Sequence, residues 1–123
     1  MKNVLTYEEV KQLQSTNFNI PTPQTIYIDY IDYAGMPIYA KGYGIEDLIN
    51  ILPKYITHDM DNFINRDYPC ELNIIYDVYS KFWYVSYSNN NQVWFDESCE
   101  IENDLLHSLL HAIITVNDWL KNN

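Results

Sequence analysis

Two imidazoles and a carboxylate come closest to a recognisable chemical pattern in this chain. His107 and His111 fall at i and i+4 of a Leu-rich segment with helical periodicity, so they share a face, and Asp104 lies one turn before His107. That spacing suits a divalent cation such as zinc and, with it, a small metal-dependent enzyme. The Glu of an HExxH motif is missing, however, and a solvated helix face carries the same letters, so no metal or cofactor is expected.

A second acid and imidazole group, His58-Asp59-Met60-Asp61, has the residue types for a base and its orienting partner. Asp also satisfies free backbone donors at turns and helix starts, and no nucleophile motif accompanies the group. GxSxG, P-loop and GxGxxG patterns are absent, and Gly42-Tyr43-Gly44 reads as a turn at a strand end. No catalytic residue is assigned.

Acid and tyrosine are the other unusual chemistry. The chain has 17 acidic against 7 basic residues, a formal net charge of -10, and 12 tyrosines. Such a surface repels phosphate backbones and anionic lipid heads, which argues against nucleic acid and membrane and favours a basic protein partner. Tyrosine offers a rigid contact area with a polar tip, and Asp beside it suits Arg or Lys. The interleaved stretch from Tyr27 to Tyr33 is therefore the first candidate surface, with Tyr27, Asp29 and Tyr33 facing solvent beside Ile31, and with Tyr30 turned into the core. Asp96, Glu97, Glu100 and Glu102 form the second candidate.

The elements that must position these residues follow from periodicity. An α+β fold is expected, with an antiparallel sheet of about five strands, a hairpin plus a three-stranded meander, packed by a long C-terminal helix. Thr6 and Glu9 form a capping-box signature for a short helix from Tyr7 to about Leu13, read as a surface appendage because its apolar residues are few. Pro21 and Pro23 mark a linker, after which Thr25 to Tyr33 and Ile38 to Tyr43 alternate as hairpin strands around Ala34-Gly35-Met36-Pro37.

Ile45, Leu48, Ile49 and Leu52 share one helical face that Pro53 ends, and Thr57 to Arg66 carries only a weak helical signal. Glu71 to Phe95 is the meander, turning at Ser80-Lys81 and Asn89-Asn90-Asn91, with Leu72, Ile74, Tyr76 and Val78 on one face of its first strand. The last helix runs from about Asn103 to Lys121 with so wide an apolar arc that it needs two neighbours, either the sheet and another helix or a second subunit in a homodimer.

With 123 residues the chain has the size of one domain, spanning 1-123. Cys70 and Cys99 are too few for a disulfide framework and read as buried thiols. No apolar run approaches the roughly 18 residues of a spanning helix, and the N-terminus lacks the basic-then-apolar pattern of a signal peptide, so a cytoplasmic protein is expected. An aromatic meander followed by a Leu-rich helix ending in Trp119-Leu120-Lys121-Asn122-Asn123 resembles small phage and mobile-element proteins. These readings describe a small acidic non-enzymatic binding module of the inhibitor, anti-defence or immunity type, with a metal-dependent enzyme or a homo-oligomeric structural protein as alternatives.

Overall fold

A computed structural model describes residues 3–56, 69–89, 93–99 and 105–121. Its architecture is α+β. The weak helical segment Thr57 to Arg66 lies outside the described residues, as do Asn90, Asn91 and Asn103.

Helix α1, Tyr7–Gln14, starts where the capping box places it: the Glu9 N–H donates to Thr6 Oγ1 at 3.3 Å, and the Thr6 N–H donates to Glu9 Oε1 at 2.9 Å. It is not a surface appendage. Leu13 is wholly buried, Val4 and Leu5 just before the helix are buried too, and Val10 packs against the same cluster. A few apolar residues suffice when they all fall on the stripe that meets the core.

The meander comprises β4 (Cys70–Asp77), β5 (Phe82–Ser88) and β6 (Val93–Cys99), all antiparallel, with the two-residue strand β3 (Tyr55–Ile56) added beside the start of β4. Cross-strand pairs Leu72 with Tyr87, Ile74 with Val85 and Tyr76 with Trp83 occupy one face, as alternation requires. That face meets the helices: Val85 and Tyr87 are fully buried, and Leu72, Ile74 and Trp83 pack on the core. The Tyr76 and Trp83 rings lie 5.0 Å apart in a tilted pair.

The β4–β5 turn begins earlier than Ser80. Asp77 accepts the Tyr79 N–H on its carboxylate and the Lys81 N–H on its carbonyl, and Lys81 takes a positive φ of 63° to close the loop, so Val78 belongs to the turn.

Helix α3, Leu105–Lys121, buries Leu105, Leu106, Leu109, Leu110, Ala112, Ile113 and Val116, each large side chain contributing about 1.5–3 kcal/mol. Its wide arc is shared between β5 and β6 on one side and α1 and helix α2 (Ile45–Ile51) on the other. The chain itself therefore supplies both neighbours. Leu48 and Leu52 from the α2 region enter the same core, and the Tyr87 hydroxyl donates to the Pro53 carbonyl at 2.7 Å. Cys70 is buried, as expected, while Cys99 ends β6.

The hairpin, β1 (Thr25–Ile31) and β2 (Pro37–Gly42), forms a separate two-stranded sheet among the described residues. None of its residues is fully buried. No helix among the described residues is long and apolar enough to cross a membrane.

Candidate docking surface

The hairpin is held at its feet by one carboxylate. Asp47, in the first turn of α2 and only 7% exposed, accepts the Gln24 N–H at 3.1 Å, the Thr25 hydroxyl at 2.7 Å and the Gly44 N–H at 2.9 Å. The first two donors precede or begin β1, and the third follows β2, so a single side chain fixes both strand ends to a helix N-terminus.

Burial alone would raise the Asp47 pKa. Hydrogen bonds from Gly44, Thr25 and Gln24 outweigh that and hold it below the ordinary carboxylate range. Gly44 is needed for closeness: a Cβ there would lie 2.5 Å from Thr25 Oγ1. Beside it, buried Tyr43 donates its hydroxyl to the Pro21 carbonyl at 2.6 Å, and its pKa is raised by that burial and by the Asp47 charge.

Beyond the clamp, the strand faces are not those of plain alternation. Ile28 pairs with Tyr39 but Tyr30 pairs with Ile38, so Asp29 is the extra residue of a β-bulge. Because directly opposed residues share a face, Ile26, Ile28 and Ile31 line up with Lys41, Tyr39 and Pro37 on one side, and Thr25, Tyr27 and Tyr30 with Gly42, Ala40 and Ile38 on the other. The first set is the outward one: Ile26 is 65% exposed, Ile28 48%, Ile31 64% and Tyr39 61%. The second set is covered near the clamp, where Val4 and the Tyr27 ring both approach Gly42 closely.

Up to Ile28 this reverses the expected orientation, with Tyr27 half-buried on the covered face. Beyond the bulge Ile31 faces outward as expected, and Tyr30 shares the face of Tyr27 but is 57% exposed because none of the described residues covers that face near the tip. Asp29 is exposed in the bulge, and Tyr33 stands fully exposed at the tip. There Asp32 accepts the Ala34 and Met36 N–H groups on its carboxylate, and Gly35 takes the positive φ of 82° that the turn requires.

Of the second acidic candidate, Asp96 and Glu97 lie on β6 with their backbones opposite Ser86 and Val85, while Glu100 and Glu102 lie outside the described residues. Asp104 and the group His58-Asp59-Met60-Asp61 are outside them as well. His107 and His111 are both exposed on α3, but His107 Nε2 lies 2.9 Å from Glu9 Oε2. Glu9 thus caps α1 with one oxygen and ties α1 to α3 with the other. Among the described residues no cluster of three or more His, Cys, Asp or Glu is arranged for a metal.

Asp47 is the residue that reading the sequence missed as a hub. Its position in the first turn of α2 marked it as a helix-dipole partner, but the partners that make it a clamp lie about twenty residues earlier in the chain. The chain matches no protein-family model, no curated protein and no solved structure.

Proposed function

We propose that this chain is a small acidic protein-binding module, of the kind found among inhibitors, anti-defence proteins and immunity proteins, that covers a basic surface of a partner. The observation that carries the reading is the tip half of the hairpin, where Tyr33 is fully exposed on the turn, Tyr30 largely so at the end of β1, and Asp29 exposed in the β1 bulge. Tyrosines presented on a hydrogen-bonded turn lose little freedom on binding, and the net charge of -10 draws a basic partner toward them. The acidic residues Asp96, Glu97, Glu100 and Glu102 extend the same attraction along the chain.

Lysate proteins retained on immobilised chain and eluted by a salt gradient test this. A partner that elutes between low and moderate salt, and that associates more slowly with Asp29→Lys and Tyr33→Ala proteins, supports the module reading. If every retained protein binds those two variants at wild-type rates in low salt, the tip has no part in binding.

A further inference from the structure

The outward face of the hairpin differs in chemistry from the rest of the molecule. In a chain of net charge -10 it presents Ile26, Ile28, Ile31, Pro37 and Tyr39, one cation, Lys41, and no acid. The bulge is what assembles it: with unbroken alternation Ile31 would have pointed the other way. We infer that this face docks against the same face of a second copy, an association that goes beyond the basic-partner reading and does not depend on it.

Two features favour a second copy over a basic partner. A face whose only charge is Lys41 gives Lys or Arg nothing to pair with, so a cationic partner is better served at the tip. The layout also suits a two-fold axis through the Ile28–Tyr39 pair. Lys41 then lies over the tip end of the other copy, where Asp29 and Asp32 set a negative potential, and its alkyl stem covers Ile31 and Pro37. The two Lys41 side chains stand at opposite ends, on the order of 14 Å apart along the strands, beyond the screening length at physiological salt.

Area sets the strength. Three isoleucines and a tyrosine offer roughly 400–500 Å² per copy, so a pair buries about 800–1,000 Å², below the roughly 1,200 Å² of stable specific interfaces and in the range of weak, transient ones. Face-on docking is also the mode the strand edges leave open. The Asp29 bulge on β1, with Pro37 and Lys41 on β2, interrupts the ladder a pairing strand would need.

The association is weak and apolar, and the two copies repel through their net charge, so it should strengthen with salt, opposite to binding of a basic partner. Sedimentation of the full chain from about 10 µM to about 1 mM, in low and high salt, should show the mass rising toward two chains, further in high salt. Ile28→Lys should hold the mass at one chain with an unchanged circular dichroism spectrum and melting temperature, since residue 28 faces outward. Wild-type protein that stays a single chain at the top concentration in high salt overturns the inference, as does an Ile28→Lys protein that associates like wild type. If wild type is monomeric and Ile28→Lys instead weakens capture of a cationic partner, the face belongs to that partner and the two-copy inference fails.

Discussion

The hairpin and the helix-covered meander use the same residue types to opposite ends. In β5, Val85 and Tyr87 alternate into a core shared with α3, and their burial follows directly from position. In β1, Ile26 and Ile28 alternate just as cleanly and face outward. The difference lies in what each sheet is packed against: the meander has a helix across it, whereas the hairpin has Val4 near its base and nothing fully burying it. Isoleucine and tyrosine in a strand therefore specify a sheet; which face is wet depends on the neighbours.

Removing a side chain from the helix–meander core should have the largest effect and should spare neither region. Leu109→Ala, at a fully buried position of α3, should cost about 2–5 kcal/mol in chemical denaturation. A loss below about 1 kcal/mol would mean that the α3–sheet core is looser than its burial indicates.

The clamp should separate the two regions. Asp47→Ala leaves the Gly44, Thr25 and Gln24 donors without their carboxylate, and a loss of about 1.5–3 kcal/mol is expected. Amide exchange should accelerate in β1 and β2 more than in β5; equal acceleration would show that the hairpin is not tied down at this point. Acid should mimic the variant. A carboxyl with a lowered native pKa contributes stability above its unfolded value and loses it as pH falls through the native value. The wild-type advantage over Asp47→Ala should thus be intact from neutral pH to about pH 5 and fade below about pH 4.

Smaller effects are expected at the surface of each region. Replacing His107 and His111 together by Ala removes the contact to Glu9 and should cost no more than about 1 kcal/mol, with zinc leaving the melting temperature of wild type unchanged. A zinc-dependent rise that the double variant lacks would restore the metal reading of that helix face. Tyr30→Ala, which plain alternation makes a core truncation, should change stability by less than about 1 kcal/mol because the ring is mostly exposed. A loss of about 3 kcal/mol or more would show that the face shared with Tyr27 is covered as far as the tip.

The chain's local signals carried much of the fold. Thr6 and Glu9 marked the start of α1, Pro53 the end of α2, and the period of Leu105 to Val116 the buried arc of α3, because caps, prolines and helical repeats act within a few residues, although Leu120 in the same pattern is exposed. The division of the meander into two faces was legible as well, since period-two alternation runs uninterrupted from Leu72 to Tyr76 and from Trp83 to Tyr87, but not which of them the helices cover. Tertiary structure decided the rest. Leu13 is core only because α3 lies over it, Glu9 meets His107 only when α1 packs on α3, and Asp47 becomes a clamp only when both feet of the hairpin reach the α2 N-terminus. Most consequential is the bulge at Asp29, which exchanges the faces of every β1 residue beyond it. Nothing in the residue types at 28–30 requires it, because a bulge arises from the register of two strands, and register is a property of the pair.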